Sequence, residues 1–137
     1  MKNMNNYTSI EQSKKLLELG LNPETADMYW DYDENTQSLS EAMAVLIYEG
    51  SWKLHHKNWS KDIPCWSVGA LLEVMPDIIE DKYGVTFGLS VQRKYVEYFN
   101  PSTSALALYS IYHSVSAETT LDACYDMIVW LLERKLI

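Results

Sequence analysis

The stretch Thr86-Phe87-Gly88-Leu89-Ser90-Val91-Gln92 decides the fold. Apolar Phe87, Leu89 and Val91 alternate with Thr86, Gly88, Ser90 and Gln92, the period of two that belongs to a half-buried β-strand. Arg93-Lys94 then reads as a tight turn, although it lacks the Asn-Gly pair that hairpins favour. Tyr95–Phe99 is expected to return as a second strand, and Asn100-Pro101-Ser102 marks another turn. Leu106–Val115 follows as a third strand, with Ala107, Tyr109, Ile111, His113 and Val115 sharing one side. The simplest arrangement is a three-stranded antiparallel meander over residues 86–115.

A sheet this small needs cover on its apolar face. The C-terminal segment supplies it. Leu121, Cys124, Tyr125, Ile128, Leu131 and Leu132 form a wide apolar helix face, and Asp122, Asp126 and Glu133 mark the wet one. Ser116 is the expected cap. Glu118 suits the positive end of the helix dipole, and Arg134 and Lys135 suit the negative end.

Upstream of the meander the pattern predicts a helical N-terminal half. Ser9 and Gln12 form a capping box for a helix over Ile10–Leu19, which Gly20 stops. Asn22-Pro23-Glu24 opens a short helical turn. Met28–Tyr32 is aromatic and reads as a short strand, and Asp31–Ser38 as a polar loop. Ser38 and Glu41 form a second capping box, with Leu39, Ala42, Met43, Leu46 and Ile47 on one helical face before Gly50. Ser51–Asp62 fits a helix or a strand, and a helix or irregular turn is preferred. Ser67 caps a third helix carrying Val68, Leu71, Leu72 and Met75, and Pro76 closes it. The whole is expected to be one α+β domain over 1–137, with polar, Asn-rich residues 1–8 flexible.

The 137 residues suit one domain that builds a core without disulfides or metal. Two cysteines make no disulfide framework. No apolar leader follows Met1, and the longest apolar run, in Met127–Leu132, is too short to span a bilayer. A cytoplasmic protein with reduced thiols and no membrane contact is expected. The net charge of −8 opposes general nucleic-acid binding, since phosphate contact rewards clustered Lys and Arg. It leaves room for a protein partner with a basic surface, for self-association, or for a DNA mimic, although the carboxylates are spread through the chain rather than set in a ridge.

Four groups of residues carry candidate chemistry. Asp31, Asp33 and Asn35 begin a D-x-D-x-N pattern that could wrap a hard cation. Thr36 then stands where a calcium loop needs Gly, and Ala42 where it needs Glu, so a solvated acidic loop and no metal are expected. Cys65, just before a helix, could act as a nucleophile with His56 or His113 as base. The preferred alternative is a small buried apolar residue between Pro64 and Trp66. His55 and His56 are adjacent and diverge on any regular backbone, so they offer no zinc pair. Five Trp and ten Tyr against two Phe favour rings with a polar tip, which suit interfaces. Trp52, Lys53, Lys57 and Trp59 form the candidate docking patch, and the plain alternative is the edge of a core with solvated lysines. No phosphate loop, dinucleotide fingerprint, nucleophile elbow or H-E-x-x-H occurs, so no cofactor is expected.

The stretch Ile63-Pro64-Cys65-Trp66-Ser67-Val68-Gly69-Ala70-Leu71-Leu72-Glu73-Val74-Met75-Pro76, the end from His113-Ser114-Val115-Ser116-Ala117-Glu118 through the helix to Ile137, and the opening Leu16–Trp30 segment resemble a family of small uncharacterised proteins of gut Bacteroidetes, often encoded in prophage or mobile elements. The resemblance covers about half the chain and implies a context, an accessory gene, without an activity or catalytic residue. The leading expectation is a non-enzymatic interaction protein. A small cysteine-dependent enzyme and an acidic DNA-mimic inhibitor are the alternatives.

Overall fold

The structure, a computed structural model, describes residues 6–33, 38–44, 62–100 and 110–137. Within them the chain is α+β, with three α-helices and two antiparallel sheets. It packs as two compact units, Met1–Val74 and Met75–Ile137.

In the first unit, helix α1 (Ile10–Glu18) opens on the expected capping box: Ser9 Oγ accepts from Gln12 N at 3.1 Å, and Gln12 Oε1 accepts from Ser9 N at 2.9 Å. Two orphan amides of the first turn are thereby satisfied. The helix ends where Gly20 takes φ +98°, letting Gly20 N donate to Leu17 O and Leu21 N to Leu16 O. Asn22 Oδ1 then accepts from Glu24 N, opening the 3-10 turn Pro23–Thr25.

Strand β1 (Met28–Asp33) lies at the centre of a three-stranded sheet, between β2 (Ser38–Ala44) and β3 (Ile63–Cys65). Trp30 pairs with Ala42 on one side, and Met28 with Cys65 on the other. The expected helix from Ser38 is therefore corrected: its described part is a strand, and the N-terminal half is not helical throughout. Leu39, Ala42 and Met43 fit a helical face locally, but β1 offers a ladder of paired backbone groups that a short isolated helix cannot match. The loop expected from Asp31 is likewise corrected, because Asp31–Asp33 belongs to β1.

Residues 1–5 of the segment expected to be flexible lie outside the described residues, and the last two, Tyr7 and Thr8, pack against the end of β3. Tyr7 bridges to Ser67, and Thr8 is fully buried, with Thr8 N donating to Trp66 O at 2.9 Å. Helix α2 (Val68–Val74) follows, with Ser67 Oγ accepting from Ala70 N at 3.2 Å as its cap.

In the second unit the sheet order is β4 (Ile78–Glu80), β5 (Thr86–Gln92), β6 (Tyr95–Asn100), β7 (Ser110–Ser116), all antiparallel. The sheet has four strands rather than three. Strand β4 is three residues long, too short to show a period, and it joins β5 through a turn in which Asp81 Oδ1 accepts from Tyr83 N and Val85 N while Gly84 takes φ +81°. Residues 106–109 of the third expected strand lie outside the described residues.

Helix α3 (Thr120–Glu133) packs on β6 and β7. Its cap is Thr119, whose Oγ1 accepts from Asp122 N at 3.1 Å. Ser116, the expected cap, is the last residue of β7, three residues too early to reach the first turn. Val96 and Tyr98 on β6 and Ala123, Cys124, Met127, Ile128 and Leu131 on α3 are fully buried.

Candidate functional site

Residues paired directly across an antiparallel ladder share a face. In the four-stranded sheet this divides the side chains into two sets. Ile79 and Phe87, Leu89 and Tyr98, Val91, Val96 and Val115, and His113 lie on one face. The other face carries a continuous row, Ile78, Gly88, Phe99 and Ile111, one residue from each strand. Ile78 is 62% exposed and Ile111 47% exposed, while Phe99 is half-buried. Gly88 puts no side chain between Ile78 and Phe99. Beside this row stand Ser90, Glu97 and Ser114, then Gln92, Tyr95 and Ser116, with the Glu80–Thr86 pair on the opposite flank. Glu97 is buried and accepts from the Tyr95 hydroxyl at 2.5 Å. No Lys or Arg belongs to this set; its charged members are Glu80 and the buried Glu97, among Ser, Thr, Gln and Tyr side chains.

The opposite face carries a series of rings beside its aliphatic side chains. The pairing shifts between Tyr98 and Phe99, so that Tyr98 faces His113, Phe99 faces Ile111, and Tyr112 is the extra residue of a β-bulge. A bulge turns neighbouring side chains the same way. Both rings consequently reach Trp130 of α3: His113 stacks on it at 4.0 Å and 3°, and Tyr112 meets it edge-on at 5.6 Å and 78°. Phe87 continues the series against Tyr112 at 5.0 Å, and the Arg134 guanidinium lies 5.3 Å from the Trp130 ring. Burial and then the Arg134 charge lower the His113 pKa, so the imidazole stacks as a neutral ring at pH 7.

Cys65 lies at the end of β3 and is fully buried. Its thiol donates to Thr8 O at 3.3 Å, and the Thr8 hydroxyl points at its sulfur from 3.6 Å. Burial pushes the thiol up to about 11, more than the Thr8 hydrogen bond lowers it, so the group is un-ionised at neutral pH. An un-ionised thiol in a closed environment packs rather than attacks. Cys124, on the buried side of α3, is pushed up to about 11 by burial as well. Of the two candidate bases, His113 belongs to the second unit and His56 lies outside the described residues, as do Trp52, Lys53, Lys57, Trp59 and Asn35. Asp31 and Asp33 sit two apart on β1. Among the described residues no three His, Cys, Asp or Glu side chains converge as a metal site requires.

The row Ile78–Ile111 was not legible as a site. Its members are separated by up to 33 positions, and only the register of three pairings brings them into line. The one local signal is Gly88, a glycine inside an alternating strand, where an added Cβ would meet nothing nearer than Phe99 O at 4.0 Å.

No protein-family model, characterised protein or solved structure matches this chain. Among the described residues no helix is long and apolar enough to cross a membrane.

Proposed function

We propose that this chain is a non-enzymatic interaction protein that docks a partner through the face of the four-stranded sheet carrying Ile78, Phe99 and Ile111. One observation carries the reading: an apolar row with two large side chains in water at its ends and polar side chains on its flanks. Exposed apolar side chains in line, rimmed by polar groups, are the usual form of a recognition surface. The partner chemistry follows from the rim. A net charge of −8, with exposed Glu80 beside the row and no Lys or Arg among its paired residues, favours a protein segment that presents apolar side chains flanked by Lys or Arg. A phage or mobile-element accessory acting on a host protein in the cytoplasm fits this chemistry. The un-ionised, enclosed Cys65 thiol gives the cysteine-enzyme alternative no support, and a row of apolar side chains is not what a DNA mimic would present.

The test is comparative capture from a bacterial lysate with the full chain and with Ile78→Asp. A partner held by the wild type, released as salt rises and weakened about tenfold or more by Ile78→Asp supports the proposal. Recovery of the same proteins by both chains, or of none by either, overturns it.

A further inference from the structure

We propose that two copies of this chain join edge to edge through β7, making one sheet of the two four-stranded sheets. The two edges of the sheet are built differently. Strand β4 is three residues long, is entered from Pro76, and is bounded by Asp77, Glu80 and Asp81. Short length, proline and charge are the means by which proteins keep a sheet edge from pairing. Strand β7 is seven residues long, and Ser110-Ile111-Tyr112-His113-Ser114-Val115-Ser116 contains no Asp, Glu, Lys, Arg or Pro. Among the described residues no strand lies beyond it. Ile111, Ser114 and Ser116 are exposed.

Charge selects a second copy as the occupant. A chain of net −8 repels itself over most of its surface, and a pairing of two β4 edges would set Asp77, Glu80 and Asp81 against their own copies. At β7 two copies meet with no fixed charge on either strand. Two-fold pairing also closes. The joined sheet would end on a guarded β4 at both sides, so growth stops at two copies, whereas a foreign strand would leave no such symmetry. The bulge at Tyr112 limits the regular run to His113–Ser116, so the contact is small and the dimer is of the weak, reversible kind. This pairing uses the backbone edge of β7, whereas the partner proposal rests on the sheet face to which the Ile111, Ser114 and Ser116 side chains belong.

Sedimentation of the full chain from about 10 µM to about 1 mM tests the proposal, since a small interface places dissociation in that range. The expected result is a monomer–dimer equilibrium with nothing larger. The double variant Ser114→Lys, Ser116→Lys guards the edge and is expected to raise the dissociation constant about tenfold or more, while Ile78→Asp leaves it unchanged. Amide exchange adds a measurement on the unmodified chain: β7 amides should slow as concentration rises. A monomer at every concentration, a dimer indifferent to the two lysines, growth beyond two copies, or β7 exchange independent of concentration each overturns it. Failure of the partner capture leaves these readouts untouched, so the two proposals fall separately.

Discussion

The two units are closed by different kinds of interaction. In Met1–Val74 the residue Thr8 before α1, the end of β3 and the turn before β1 are tied by hydrogen bonds between residues far apart in sequence. Thr8 Oγ1 accepts from Trp66 N at 3.0 Å and bonds Ser13 Oγ at 2.8 Å. Thr8 O accepts from Trp30 Nε1 and from the Cys65 thiol. Asp27 accepts from both Ser67 N and Ser67 Oγ, and Trp66 Nε1 donates to Thr25 Oγ1. In Met75–Ile137 the sheet and α3 are joined by side-chain packing, with the ring series Phe87, Tyr112, Trp130, His113 along one side of a core of Val96, Tyr98, Met127 and Ile128. The difference has an energetic meaning. A buried polar network is worth little per bond while complete and costs heavily when one member is lost. An apolar core spreads its energy over many contacts and loses in proportion to the volume removed.

The largest expected effect tests the apolar side of that contrast. Tyr98 is fully buried at the centre of the four-stranded sheet, and its hydroxyl donates to Pro76 O at 2.7 Å. Tyr98→Ala should cost about 3–5 kcal/mol, read by urea unfolding with the fluorescence of Trp130, the one tryptophan of the second unit, isolated by Trp→Phe changes elsewhere. Tyr98→Phe keeps the ring, leaves Pro76 O without its donor, and should cost about 1–2 kcal/mol. Near-equal losses in the two variants would mean that the second unit depends on a hydrogen bond as the first does.

Thr8→Val is the matching test of the polar side. The volume is nearly kept, but the Trp66 amide loses its acceptor and Ser13 its partner in a site with no water contact. The expected cost is about 1–3 kcal/mol, with Thr8→Ser close to wild type because the oxygen remains. A Thr8→Val chain as stable as wild type would remove the network from any part in closing the first unit.

This contrast also explains what the amino-acid sequence disclosed. The second unit follows periodic patterns: the alternation at Phe87, Leu89 and Val91 marks β5, and the apolar face of Leu121, Cys124, Ile128 and Leu131 marks α3. Periodicity reports apolar burial, and that is how this unit is closed. The first unit is closed by Thr8, Asp27 and Ser67, whose partners lie 40 to 58 positions away in several bonds and leave no local pattern. For the same reason Ser38–Ala44 looked helical, since its pairing with Met28–Asp33 is a tertiary fact written in neither segment alone. The candidate face was hidden one level further down. Ile78 and Ile111 become neighbours of one row only after three registers and a bulge are known.

A smaller effect distinguishes two nearby hydroxyls. Thr119→Ala should cost about 1 kcal/mol, because Asp122 N at the start of α3 loses its acceptor. Ser116→Ala, at the exposed end of β7, should stay within about 0.5 kcal/mol of wild type. The reverse order in thermal unfolding would return the cap to Ser116 and shift the start of α3.

The least effect is one of slope. His113 is held neutral by burial and by Arg134, and among the described residues Trp130 of α3, Tyr98 across the ladder and Tyr112 beside it lie next to it. Its folded pKa lies below the ordinary 6.5, so between those two values the unfolded chain binds the proton that the folded chain refuses. Stability from this residue is complete above 6.5, falls as the pH drops towards the folded value, and is flat below it. Asp126 acts in the opposite sense: burial and then Asp122 raise its carboxyl, so the folded chain gains stability as acid is added towards 3.8. His113→Phe keeps a ring on Trp130 and removes the titration. Urea midpoints for the variant should therefore lose the fall just below pH 6.5 and otherwise follow the wild type. Persistence of that fall in His113→Phe would assign it to another group and leave the stack as packing alone.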